Sequence, residues 1–142
     1  MRRGFTLVEL AVVILITGLL LLLGLPRLAG VFDRIAVNQA AGELTTTLAV
    51  ARSLAISYGM RTRVTIGYDS LEVDSLGRDG WARWRSFPGP EAHGVSLTVS
   101  NPVLQYNGIG IGWGFSNTKV VLRRGSHSET ITTSRLGRVK RW

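Results

Sequence analysis

The hydrophobic pattern of the chain changes character twice. Residues 5–26 are apolar almost throughout, with Glu9 the only charge among them, and about 20 such residues in a helix cross a hydrocarbon core. Beyond them Val37, Ala41, Leu44, Leu48, Ala51, Ala55 and Tyr58 recur by alternating fours and threes, the apolar stripe of a helix packed on one side. Pro26 is expected to kink this helix without ending it, and Gly59 to stop it. After Gly59 the period shortens to alternating or β-branched runs broken by Gly, Pro, Asn and Asp, which predicts antiparallel strands over 61–68, 70–75, 80–87, 95–100, 118–124, 128–134 and 138–142. The expected fold is α+β: a long N-terminal helix whose second half packs on an antiparallel sheet.

At 142 residues there is room for one small domain besides the apolar segment. The absence of cysteine excludes disulfides, thiolate metal sites and thiol nucleophiles. The net charge of +8 favours acidic partners, and its placement narrows the choice. From Lys119 onward Lys119, Arg123, Arg124, Arg135, Arg138, Lys140 and Arg141 face the single acid Glu129, so the basic excess lies in the last strands.

Arg2 and Arg3 precede the apolar run and keep its start cytoplasmic by the positive-inside bias, with the remainder of the chain outside. A cleaved secretory signal needs small residues after the run, and "PRLAG" puts Arg27 in the wrong place. A plain anchor fits better but leaves Glu9 unexplained, because an acid inside a bilayer costs roughly 2.5–3.5 kcal/mol at a helix centre, less near an end, and usually marks function.

The opening residues, a short basic leader ending in Gly4, then "FTLVEL", then a long apolar helix, resemble the N-terminus of type IV pilins and of the pseudopilins of type II secretion. That resemblance implies cleavage after Gly4 by a membrane-embedded prepilin peptidase, methylation of the new terminal residue Phe5, and pairing of Glu9 with the terminal amine of a neighbouring subunit. The spacing is compatible with such a pair: residues 5 and 9 are about one helical turn apart, and a buried acid beside an ammonium is neutralised. Within that family the residues from "LQYNGIGIGWGF" to the end resemble the GspH/FimT branch of minor pseudopilins. The implied organisation is a leader over 1–4, a membrane-spanning half-helix over 5–28, an amphipathic half over 29–60 and an antiparallel β domain over 61–142.

Other motifs carry less. His93 and His127 are the only histidines and lie far apart in sequence, which supports neither a metal pair nor a catalytic triad. "GIGIGWG" lacks the spacing of a dinucleotide or phosphate loop and reads as a turn or a glycine-faced strand. In "WARWR" the alternation places Trp81, Arg83 and Arg85 on one strand face and Trp84 on the other, which makes at least one tryptophan a core residue and weakens a nucleic-acid reading. At the end, Gly137, Arg138, Val139 and Lys140 nearly match the Gly-Arg-x-Arg motif of the FimT branch, with lysine in place of the final arginine. Lysine keeps the charge and loses the bidentate fork.

No catalytic or metal-binding residue and no cofactor is expected, and the protein does not read as an enzyme. Two functions follow. One is a structural subunit of a type II secretion pseudopilus or type IV pilus, anchored in the bacterial inner membrane with its β domain on the periplasmic side, whose partners are other pilins, prepilin peptidase and the membrane. The alternative is a minor pilin that binds double-stranded DNA for uptake through Arg135, Arg138, Lys140 and Arg141. Against the alternative stands a basic end that is only a solvated rim.

Overall fold

The computed structural model describes residues 6–142, the side chains of 25–28 excepted. One helix, α1 (Leu7–Tyr58), is followed by eight strands: β1 (Thr62–Ile66), β2 (Ser70–Gly77), β3 (Gly80–Pro88), β4 (Ser96–Val99), β5 (Val103–Tyr106), β6 (Thr118–Arg124), β7 (His127–Thr133) and β8 (Val139–Arg141), with a 3-10 turn at Pro90–His93. The helix runs through position 26 without a break. The chain divides after Phe32 into two compact units.

In the first unit the described side chains from Leu7 to Leu23 are exposed. The helix beginning at Leu7 is long and apolar enough to cross a membrane, with a mean hydropathy of 2.7 in its most apolar window.

The second unit, Asp33–Trp142, holds the core. Val37, Ala41, Leu44, Leu48, Ala51 and Ala55 are all buried, together with Ala36 and Ala40, so the alternating step of fours and threes is the face that meets the sheets. Its alanines leave room for strands to approach the helix closely. Facing it are Val64 and Ile66 of β1, Leu71 and Val73 of β2, Leu104 and Tyr106 of β5, Val120 and Leu122 of β6 and Ile131 of β7, in one cluster. Tyr58, expected to continue the stripe, is 68% exposed: the helix ends there, and Gly59, at φ +61°, turns the chain away. The Met60 amide bonds to the Ala55 carbonyl at 3.1 Å and closes that end as a left-handed glycine cap does.

Every sequence-predicted strand is present, but they form two sheets where one was expected. Sheet order is β3-β2-β1-β5 in the first and β4-β6-β7-β8 in the second, and all pairs are antiparallel. The strand β5 was not foreseen. It is only four residues long, lies directly before the glycine-rich turn, and takes its place beside β1 through a pairing distant in sequence.

Candidate functional site

Sequence reasoning singled out two regions. At the N-terminal end, Gly4 and Phe5 lie outside the described residues. Glu9 occupies the first turn of α1, where its backbone amide donates to Thr6 Oγ1 at 3.2 Å and the Leu10 amide reaches the Thr6 carbonyl at 3.2 Å. "TLVE" thus has the form of a capping box, Thr6 capping the helix three residues before an acid, a feature that the sequence reading passed over. Only the threonine half is made: among the described residues no hydrogen bond engages the Glu9 carboxylate.

The second region is the basic end, and strand register sorts its charges. Across β6, β7 and β8 the partners Val120, Ile131 and Arg141 form one row, and Lys119, Thr132 and Lys140 the next. Successive side chains on a strand point to opposite faces. Arg141 therefore shares the inner face with buried Ile131 and Val120, where its guanidinium pairs with the nearly buried Glu129 carboxylate and reaches Asn38 Oδ1 of α1 at 3.4 Å. The hydrogen bond that Arg141 donates to Glu129 holds the Arg141 pKa above its ordinary value against the opposing effect of burial. Arg124, at the C-terminal end of β6, is likewise engaged, its Nε lying 3.1 Å from Asp33. Arg141, whose side chain is 40% exposed, is thus engaged by Glu129 and is not the free surface cation expected from the sequence.

Arg138 and Lys140 are exposed and line one shallow depression with Thr132, Thr133 and Ser134. Lys140 Nζ lies 3.3 Å from the centre of the Trp142 ring, a cation–π contact. Arg135 is not with them; it borders a different depression beside Ser100, Asn117 and Phe115. Instead, the outer-face alternation brings in Lys119 and Arg123 of β6, with Ser96, Thr98, Ser128, Thr130 and Thr132 between and beside them. Glu129, the only acid in these four strands, points inward. With strands about 4.8 Å apart and a rise of about 3.3 Å per residue, Lys119 and Lys140 stand roughly 10 Å apart and Lys119 and Arg123 roughly 13 Å. The outer face of the second sheet is a hydroxyl-rich surface carrying Lys119, Arg123 and Lys140 and no acid, with Arg138 beside Lys140 just before β8. Sequence reasoning missed Lys119 and Arg123 although the signal was present: alternation in "TKVVLRR" already puts them on one face.

"WARWR" is structural, though not as foreseen. Asp74 pairs with Arg83 and Val73 with Arg85, leaving Trp84 as an extra residue at a register shift, a bulge that interrupts the simple alternation. Neither tryptophan enters the core: Trp81 is half-buried beneath the Arg63 guanidinium, 4.6 Å from its ring centre, and Trp84 is 44% exposed. What the motif supplies is Arg83. With Arg63 it clamps Asp74, which is only 4% exposed, at 2.7 Å from Arg63 Nη2 and 2.8 Å from Arg83 Nε, while Arg83 Nη2 lies 2.6 Å from Glu72.

Burial opposes the charged form of Asp74, but the hydrogen bonds from Arg63 and Arg83 prevail and hold its pKa below the ordinary carboxylate value. A carboxylate depressed in the folded state stabilises the fold above its unfolded pKa, about 4, and that stability is lost as pH falls through the folded value. Asp74→Asn should accordingly be less stable at neutral pH and lose less stability than the parent on acidification below about pH 4. Tryptophan fluorescence during acid and urea titrations checks this, and parallel acid profiles would contradict it.

The glycine-rich stretch is a turn, as expected. Asn107 Oδ1 accepts from the amides of Ile109 and Ile111 at 3.2 and 2.9 Å. A Cβ on Gly108 would lie 2.7 Å from the Gly59 backbone, so the turn abuts the end of α1 at a distance only glycine allows. Arg52 of α1 fastens it: Nε donates to the Gly110 carbonyl at 2.9 Å and Nη1 to that of Gly137 at 3.3 Å. His93 Nε2 lies 3.0 Å from Glu43 Oε2. Among the described residues no three His, Cys, Asp or Glu side chains are placed to hold a metal.

Comparison with known proteins agrees with this geometry. Residues 1–25 match the family model of the prokaryotic N-terminal methylation motif. The structure is similar to that of the type IV minor pilin FimU of Pseudomonas aeruginosa, at 18% identity over 75% of this chain and 88% of that one with a TM-score of 0.63. It is also similar to the minor pseudopilin EpsH from the type 2 secretion system of Vibrio cholerae, at 18% identity over 75% and 95% of the two chains with a TM-score of 0.61. No curated protein matches the sequence. The chain joins a prepilin-type N-terminus to a pilin-like fold.

Proposed function

We propose that this protein is a minor pilin or pseudopilin, a structural subunit that enters a type IV pilus or a type II secretion pseudopilus through its N-terminal helix. The observation that carries the reading is the methylation motif over residues 1–25, with Glu9 as the single charge in an otherwise apolar stretch. In this reading the peptidase cuts between Gly4 and Phe5 and methylates Phe5. The apolar half-helix holds the subunit in the inner membrane with Arg2 and Arg3 cytoplasmic before cleavage, and the β domain stands on the periplasmic side. Glu9 then faces the terminal amine of a neighbour. The likeness to both a minor pilin and a minor pseudopilin keeps both filament classes within the proposal, and the role is one of assembly rather than catalysis.

Mass spectrometry of the membrane-extracted protein tests it. The expected mass lacks residues 1–4 and carries one added methyl group. An intact Met1 in cells with active prepilin peptidase would refute the assignment.

A second reading, DNA capture during uptake, is favoured by one observation, the acid-free outer face bearing Lys119, Arg123 and Lys140, with Arg138 beside it. Cations at such spacing on a flat surface suit the phosphates of a duplex, which position a protein without specifying sequence. Arg135 lies outside that face, and Arg141 is held by Glu129.

A further inference from the structure

Phe115 is 96% exposed and Trp113 52% exposed, yet the backbone that carries them is tied down. The Gly112 amide donates to the Arg135 carbonyl at 2.7 Å, the Trp113 amide to the Gln105 carbonyl at 2.8 Å, and buried Ser116 donates through Oγ to the Gln105 carbonyl at 2.9 Å. Asn101 Nδ2 donates to the carbonyl of Phe115 itself. Gly112 has no space for a Cβ, which would fall 2.6 Å from Ser116 Cβ and 2.9 Å from the Arg135 carbonyl oxygen. The phenyl ring is therefore displayed by a loop with hydrogen bonds on both sides of it. An exposed aromatic side chain on an anchored backbone has the anatomy of an interface anchor, since the loop that carries it has little backbone entropy left to lose on docking.

The ring stands between two depressions that share Asn101, Gly114 and Phe115. One, of about 730 Å³, includes Arg61, Trp81, Gln105 and Trp113 in its wall, and the Arg61 guanidinium lies 4.9 Å from the centre of the Trp113 ring. The other, of about 590 Å³, is bordered by Ser100, Asn117 and Arg135. Each contributes an arginine, and among the described residues neither is lined by an acid.

We propose that the 113–117 loop docks a neighbouring filament subunit, a different protein from this one, which offers an apolar pocket for Phe115 and acidic residues toward Arg61 and Arg135. This inference rests on the filament reading and names a partner surface within it. A second copy fits less well: each chain carries a net charge of +8, so two copies repel. Asp33, Glu72, Asp74 and Glu129 already pair with arginines of their own chain, which leaves Asp69, Asp79 and Glu91 as the exposed acids of the β domain without a salt bridge among the described residues. A duplex fits poorly as well: an apolar knob must unstack base pairs to be covered, and only two cations flank it.

The test uses the full-length protein in cells that assemble the filament, with a photoreactive benzoylphenylalanine at position 115 and the same group at exposed Ser86 as control. Irradiation of sheared filaments is expected to yield one adduct from position 115, with another filament subunit identified by peptide mass, and none from position 86. Phe115→Asp and the pair Arg61→Glu with Arg135→Glu should each lower incorporation about ten-fold or more, and Phe115→Leu should retain most of it. Near-UV circular dichroism of the extracted variants must match the parent.

The proposal is overturned if a folded Phe115→Asp enters filaments at the parental level, or if position 115 reacts only with lipid, nucleic acid or a second copy. Absence of the unmodified protein from the sheared fraction would instead refute the filament reading, and this proposal with it.

Discussion

Glu9→Ala is expected to leave the protein in the membrane and to cut its share in sheared filaments about ten-fold or more, equivalent to ~1.4 kcal/mol or more of assembly free energy. Insertion alone should become easier, because the only acid in the apolar stretch has gone. Assembly should suffer because, in the proposed filament, the terminal ammonium of a neighbour loses its partner in a medium where an unpaired charge is costly.

The cap at Thr6 supplies a competing explanation that the same experiment separates. If Glu9 mattered only as the acidic member of a capping box, glutamine would serve, since either residue can complete it. Glu9→Gln should therefore fail as alanine does if the charge is what matters. Recovery with glutamine would transfer the role of Glu9 to helix capping. Filament content by immunoblot, normalised to membrane content, is the measurement.

The second large effect concerns the outer face of the second sheet. Full-length protein in neutral detergent should bind fluorescent duplex DNA without sequence preference, with log affinity falling against log salt at a slope of about −3.6 for four phosphate contacts at ~0.9 each. Arg138→Ala with Lys140→Ala should flatten the slope by about 1.8, and adding Lys119→Ala and Arg123→Ala should bring it close to zero.

Arg141→Ala is the informative control, because Arg141 lies on the inner face. It should leave the slope unchanged and destabilise the domain by roughly 1–3 kcal/mol, the cost of stranding a nearly buried carboxylate. Equal binding by the parent and the quadruple variant, or no binding at low salt, would reduce this face to a solvated rim. An Arg141→Ala variant that flattens the slope would instead restore the cluster read from sequence alone.

The difference between Arg141 and Lys140 shows where sequence reading stops. Both are basic and adjacent, and alternation says that they point to opposite faces. It does not say which face is inward. That depends on β8 pairing with β7 in a register that sets Arg141 beside Ile131, and on Glu129 lying within reach. Trp84 fails differently: a bulge against β2 shifts the register, and nothing within "WARWR" signals it.

The chain by itself determined the features that depend on near neighbours. The apolar stretch and its lone acid follow from composition, the buried stripe from Val37 to Ala55 from the 3.6-residue period, and the strands from alternation and turn residues. The capping form of "TLVE" and the concentration of bases after residue 118 were equally open to inspection. Only the tertiary structure decided that the strands form two sheets, that short β5 joins β1, and that Arg52 fastens two glycine carbonyls. It also divided the basic residues into those spent on Asp33 and Glu129 and those left facing outward. The physical reason is that periodicity is a local constraint on which residues share a face. What that face meets is settled by pairings between residues far apart in sequence, where burial and ion pairing act together.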